Sequence, residues 1–252
     1  MKTKLGKFLC VALGCMLAVG VGGCRNGAAQ PEVSPERTEA GESPAPTARP
    51  DVWRGRKIAV LGDSITELNG FQQYLEELTG ATVYSYGRSG TTVSGYDPST
   101  FVNRVTTIKE EVDLIIIFGG TNDYHVGIPL GTISDNASTA TFYSSLKLLI
   151  NRFGDKHPGV DLMFITPLQR VFPAQGGTDG LNVNGDTLEQ YAAAILEVCA
   201  DAGLPVLDLY HNSAITVETA DEYLYDGIHP NDAGFRVLAE EMAGFLANLQ
   251  TP

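Results

Sequence analysis

The chain has 252 residues, 43% of them hydrophobic, and a formal net charge of −13. That acidity excludes a nucleic-acid partner held through a basic surface. It is also a poor match to anionic lipid, which recruits Lys and Arg.

The first fifty residues do not read as globular protein. Lys2, Lys4 and Lys7 precede an apolar run from Phe8 to Val21, and small residues follow as far as Cys24. Basic, apolar, small is the layout of a secretory signal, and the run is too short and too interrupted by glycine to span a bilayer. "VGGC" (Val21 to Cys24) resembles a bacterial lipobox, although the motif prefers leucine where Val21 stands. The expectation is a signal over residues 1–23 and a lipid on Cys24, with the protein exported and anchored to the cell envelope. The membrane would then be a partner only through that N-terminal lipid. Cleavage after Ala29 and simple secretion is the alternative. Residues 24–50 hold five prolines and almost nothing large and apolar. They cannot offset the entropy of ordering and are expected to form a tether. Residues 51–252 remain, enough for one domain with one sizeable core.

Within that domain, apolar runs alternate with helical patterns. "KIAVLG" (57–62) is strand-like. "GFQQYLEELTG" (70–80) places Phe71, Tyr74, Leu75 and Leu78 at helical spacing and closes on Gly80. "ATVYSYG" (81–87) is strand-like, and "DLIIIFGG" (113–120) is a near-continuous β-branched run, expected of a strand covered on both faces. A helix over 140–159, a strand over 160–167, a helix over 187–203 and a strand over 204–210 follow. The last helix, over 231–249, takes Asn231 or Asp232 as its cap. Five strands alternating with helices predict a three-layer α/β/α fold around a five-stranded parallel sheet. The single domain cysteine, Cys199, reads as a small buried hydrophobe.

Open parallel sheets bind ligands beyond the carboxyl ends of their strands, where strand order reverses. In a flavodoxin-like order that point lies between the first and third strands. The loops there are "GDSIT" and "GGTNDYHVG", which hold Ser64, Asn122 and His125. Ser64 is either a helix cap, a nucleophile, or both. A nucleophilic serine needs a base, a group to orient the base, and donors for the oxyanion. Of the four histidines, His157 reads as solvated at a helix end. His229 stands three residues after Asp226, with Gly227 between, so a turn can bring the carboxylate to the imidazole. Alone, that pair also fits a solvated histidine on a turn into a helix. Asp63 and Asp123 flank functional positions and read as holders of loop backbone.

Taken together, "GDSIT", "GRSGTT", "GGTND" and "DGIHPN" resemble the SGNH, or GDSL, hydrolases, in order and across the whole domain. The resemblance implies a flavodoxin-like fold and ester hydrolysis through a serine nucleophile. It makes Ser64 the nucleophile, His229 the base and Asp226 its orienter. It assigns the oxyanion hole to the N–H of Ser64, the N–H of Gly90 and the side-chain amide of Asn122. The chain departs from the family at Tyr86, where many members carry asparagine. His125 and Arg170 are candidate substrate contacts, with a structural role for His125 and a surface salt bridge for Arg170 as the alternatives. No His/Asp cluster has metal-ligand spacing, so neither metal nor cofactor is expected.

The substrate is less legible. An exported, tethered esterase meets O-acetylated polysaccharide, and the polar stretches "RSGTTVSGYDPST" and "FPAQGGTDGLNVNGD" suit sugar-facing loops. The expected substrate is therefore an acylated small molecule or glycan. A lysophospholipase or thioesterase, a glycan-binding lipoprotein without catalysis, and a transporter's binding protein are the alternatives. The last needs two lobes, for which about 200 residues is short.

Overall fold

Strand β1 (Lys57–Gly62) is buried from Ile58 onward, as its apolar run requires. The computed structural model describes residues 52–177 and 180–249. The expected signal, the lipid on Cys24 and the tether lie outside the described residues. After β1 come α1 (Ser64–Glu67), α2 (Gln72–Thr79), β2 (Thr82–Gly87) and α3 (Phe101–Arg104) with a 3-10 turn at Val105–Thr107. Next are β3 (Leu114–Phe118), α4 (Thr121–Val126), α5 (Phe142–Lys156) and β4 (Asp161–Ile165). The chain continues through α6 (Leu188–Ala202), β5 (Val206–Leu207), α7 (Leu209–Asn212), α8 (Ala220–Tyr223) and α9 (Asp232–Leu246).

The five strands form one sheet in the order β2-β1-β3-β4-β5, and every pairing is parallel. The fold is thus the expected three-layer α/β/α arrangement. Side chains alternate across each strand, and the core divides accordingly. Ala59, Leu61, Ile115, Ile117, Leu162 and Phe164 pack with residues of α3, α5 and α6 on one face. Ile58, Val60, Leu114, Ile116, Met163 and Ile165 pack with residues of α2 and α9 on the other. Cys199 is fully buried on α6, and burial pushes its thiol up to about 12.

The predicted strand over 204–210 is shortened to two residues. Asp208 caps α7 by accepting from the His211 N–H and also accepts from Thr166 Oγ1 at 3.0 Å, so the chain turns at that point. His157 is not solvated as expected: its Nε2 lies 2.7 Å from the Val105 carbonyl oxygen. Leu78, counted with the apolar face of α2, is exposed, whereas Phe71 and Leu75 are buried. Asn231 caps α9 through the Gly234 N–H at 3.0 Å.

Two buried carboxylates fix the loops that matter below. Asp63 caps α1 through the Ile65 N–H at 3.1 Å, so Ser64 is the first helical residue and not its cap. Asp123 accepts from the Val93 N–H at 2.8 Å and the Ser94 N–H at 3.0 Å, pinning the loop after β2 to α4. Burial raises Asp63 to about 6 and Asp123 to about 7, against the pull of those backbone donors.

An unfolded aspartate titrates near 4. Above that, and up to the folded values, the folded chain holds protons that the unfolded chain has released, so stability falls as pH rises through this window. His211, raised by its hydrogen bond to Asp208, adds the same sign, while His125, lowered by burial and by the Arg170 charge, opposes it. The melting temperature is therefore expected to be lower at about pH 7.5 than at about pH 5, and Asp123→Asn to flatten the slope. A melting temperature that rises across that interval contradicts the assignment.

Candidate active site

Ser64 opens α1 directly after β1. Its N–H belongs to the first helical turn, where amides have no partner inside the helix. Its Oγ lies 2.8 Å from His229 Nε2. His229 Nδ1 lies 2.7 Å from Asp226 Oδ2. The sequence places Ser64 far from the other two, and the structure joins all three.

The turn that delivers Asp226 and His229 is held from several sides. Asp226 Oδ1 accepts from the backbone N–H of Ile228 at 3.0 Å and of His229 at 2.8 Å. Leu224 and Pro230 bridge across the turn, and the Tyr225 N–H donates to the His229 carbonyl at 3.0 Å. Gly227 sits at φ 82, in the left-handed region, and its carbonyl accepts from the Val171 N–H at 2.9 Å. The Tyr225 ring stacks on the His229 imidazole at 5.6 Å. Burial pushes the Asp226 carboxyl up, but hydrogen bonds from the backbone and ring of His229 and the Ile228 N–H outweigh it, and the net effect is a lowered pKa. Asp226 therefore stays ionised at neutral pH, so the proton on the imidazole sits on Nδ1 and Nε2 is left to accept from Ser64.

The loop after β2 brings Gly90 to the other side of Ser64. Gly90 has φ 71, and a side chain there would meet nothing within 4 Å. Backbone conformation, not crowding, calls for glycine. The reverse holds at Gly87, where a side chain would collide with the backbone of Glu67 at 2.1 Å, because α1 lies directly over the end of β2. Glu67, the last residue of α1, accepts from the Ser89 N–H at 3.0 Å and from the Ser89 hydroxyl. One carboxylate thus ties the helix that starts at Ser64 to the residue before Gly90. Those bonds from Ser89 lower the Glu67 pKa. Neither role was legible in the sequence.

Asn122 donates one amide hydrogen of Nδ2 to the Thr91 carbonyl at 3.0 Å. That bond sets which amide atom is nitrogen and leaves its second hydrogen free. Ser64, Gly90, Asn122 and His229 all line an open cleft of about 410 Å³, joined by His125, Arg170, Phe172 and Tyr225. A recess of about 10 Å³ adjoins it, shares Thr121, Arg170 and Ile228 with it, and is otherwise mostly apolar, with Ile65, Phe118 and Leu168. The polar stretch after β2 is less sugar-facing than expected, since Thr91, Val93 and Ser94 are buried.

Arg170 does not form the salt bridge considered for it: among the described residues its partners are neutral. Nε donates to the Phe172 carbonyl at 2.8 Å, Nη1 to Thr121 Oγ1 at 3.0 Å, and Nη2 to the Pro173 carbonyl at 3.3 Å. Nη2 also lies 3.3 Å from His125 Nδ1. Among the described residues, no group of three or more His, Cys, Asp and Glu side chains is placed to hold a metal ion.

Residues 60–237 match the GDSL-like Lipase/Acylhydrolase family. The chain belongs to this family. As a GDSL-like member it is a hydrolase acting on ester bonds. No curated protein matches the chain. Among solved structures, one from Lactobacillus plantarum is 32% identical with a TM-score of 0.72, covering 79% of this chain and 99% of that one. A lipase/acylhydrolase from Enterococcus faecalis shares the fold at 22% identity and a TM-score of 0.56, covering 78% of this chain and 100% of that one. An acetyl xylan esterase shares it at 17% identity and a TM-score of 0.53, covering 75% and 98%.

One buried cation behind this GDSL-like site was invisible in the sequence. Arg104 donates to the Gly62 carbonyl at 3.1 Å, to Thr91 Oγ1 at 3.0 Å and to the Tyr86 carbonyl. It joins the ends of β1 and β2, and uses Tyr86 only through its backbone. Burial lowers its pKa to about 10, which still leaves it charged at neutral pH. Arg104→Ala removes the side-chain donors to the Gly62 and Tyr86 carbonyls and Thr91, leaves Gly62 its bond from the Arg88 N–H, and is expected to cost about 2 kcal/mol. A urea midpoint equal to that of the parent chain would count against this role.

Proposed function

We propose that the protein is a serine esterase that removes short acyl groups, acetyl foremost, from carbohydrate at the cell surface. The observation that carries the esterase mechanism is the unbroken path Ser64 Oγ, His229 Nε2, His229 Nδ1, Asp226 Oδ2, with both contacts at or below 2.8 Å. Ser64 Oγ attacks the ester carbonyl while His229 Nε2 takes its proton. Asp226 holds the imidazole in the tautomer that can accept and stabilises the imidazolium that results. The carbonyl oxygen becomes an oxyanion, met by the N–H groups of Ser64 and Gly90 and by the free amide hydrogen of Asn122. The intermediate collapses, His229 gives the proton to the leaving alcohol, and an acyl-Ser64 ester remains. Water, deprotonated by His229, then attacks that ester and releases the acid.

The short acyl group is supported by the recess beside the cleft. At about 10 Å³ it has room for one group the size of a water molecule or a methyl, not for an alkyl chain. Carbohydrate as the alcohol is supported by the cleft itself, which is open and carries two exposed aromatic rings, Phe172 at 49% and Tyr225 at 60%. The same fold serves an acetyl xylan esterase. The cell-surface setting rests on the signal-like N-terminus and the lipobox-like "VGGC" ending at Cys24.

Ser64→Ala and His229→Ala are each expected to lower kcat by about 10⁴-fold or more, and Asn122→Ala by about 10²-fold. Full activity in Ser64→Ala would sink the mechanism.

Across aryl esters of increasing chain length, the rate should be highest with acetate. A maximum at long chains would instead make the protein a lipase or thioesterase.

A further inference from the structure

Helix α4 carries Asn122 and His125 three residues apart, so both lie on one face, about one 5.4 Å turn from each other. Both line the cleft. If Asn122 meets the ester carbonyl, His125 stands about one pyranose substituent further along. The two positions match an ester oxygen and a hydroxyl of the sugar that bears it.

The His125 ring is braced. Arg170 has no acceptor, so in its contact with His125 the Nδ1 atom accepts, which puts the ring proton on Nε2. Arg170 has given its other hydrogens to Thr121, Phe172 and Pro173. It orients its neighbours and hydrogen-bonds to no carboxylate among the described residues.

Phe172 completes the arrangement. Its backbone is tied down: the carbonyl accepts from Arg170 Nε, and the N–H donates to the Gly227 carbonyl at 3.4 Å. Its ring is half exposed at the cleft, 6.2 Å from the His125 ring and 5.8 Å from the Arg170 guanidinium. An ordered phenyl ring held in water at a cleft mouth gains by covering an apolar surface. The C–H face of a pyranose is such a surface, and the hydroxyls at its edge need a donor such as His125.

We propose that Phe172 and His125, braced by Arg170, form the sugar-binding subsite of the enzyme: a pyranose ring lies on Phe172 and accepts a hydrogen bond from His125. This rests on the carbohydrate-esterase reading above. It adds which wall of the cleft holds the sugar and by which contacts.

The test compares kcat/KM on an acetylated xylo-oligosaccharide and on an aryl acetate, which has no sugar to bind. In Phe172→Ala and His125→Ala, the ratio of sugar-ester to aryl-acetate kcat/KM is expected to fall about tenfold or more, through KM. His125→Gln, whose amide reaches the position of Nε2, should restore most of the loss. Equal losses on both substrates, at unchanged melting temperature, or no loss on the sugar ester would overturn the subsite while leaving the carbohydrate reading in place. If the parent chain cleaves the aryl acetate in a Ser64-dependent way but no acetylated sugar, the carbohydrate reading fails, and the subsite with it.

Discussion

Strand β1 is hydrogen-bonded to β2 on one side and to β3 on the other, and the rest of the structure hangs on that double pairing. The chain leaves β1, returns through β2 on one flank, then crosses over to begin β3 on the opposite flank. The loops beyond the carboxyl ends diverge there and leave a crevice above β1. Ser64 follows β1, Gly90 follows β2 and Asn122 follows β3, so three successive loops reach one small space. The remaining pair, Asp226 and His229, comes from the turn before α9, which packs on α2. Helix α2 itself follows the short helix that Ser64 opens. One choice of strand neighbours thus determines which distant stretches of chain can meet.

Behind the crevice lies a layer of buried polar groups that hold backbone. Asp63 sets the first turn of α1, Asp123 pins the loop after β2, and Arg104 joins the ends of β1 and β2, while Glu67 grips Ser89 from the exposed end of α1. Burying an ionisable group is costly unless it is hydrogen-bonded. The three buried ones, Asp63, Asp123 and Arg104, are bonded mainly to main-chain atoms, so the cost is exchanged for fixed loop geometry. The raised values of Asp63 and Asp123 record how much of it burial still exacts. A site built on loops needs such fixation, because loops otherwise open locally at little cost.

The sheet was legible because its strands are nearly unbroken apolar runs, and "LIIIF" in β3 is buried throughout. The four loop blocks were legible as a set because glycine, serine, asparagine and histidine recur there in a fixed order. Other features depend on contacts that no local pattern encodes. Arg104 sits in a helix of four residues and reads as a surface cation until Gly62 and Tyr86 are seen around it. The early end of β5 follows from Asp208, whose capping bond overrides the strand character of "LPVLDLY". Arg170 was a candidate substrate contact from the sequence, but its neutral hydrogen-bond partners, and hence its bracing of His125 and Phe172, depend on contacts between distant loops.

Ser64 and His229 touch across a sequence separation of 165 residues. Closing a loop of that length has an entropic cost that no local segment can repay by itself. The contact therefore forms only once strand pairing and both helical layers are in place, and no fragment from either end of the domain carries it. Turnover in this protein is a readout of the whole domain's folding. The reverse also holds: release of α9 from α2 would separate base from nucleophile while the sheet stayed intact. The reactive state is confined to a fully closed chain, and a partly opened one keeps its serine but loses its means of ionising it.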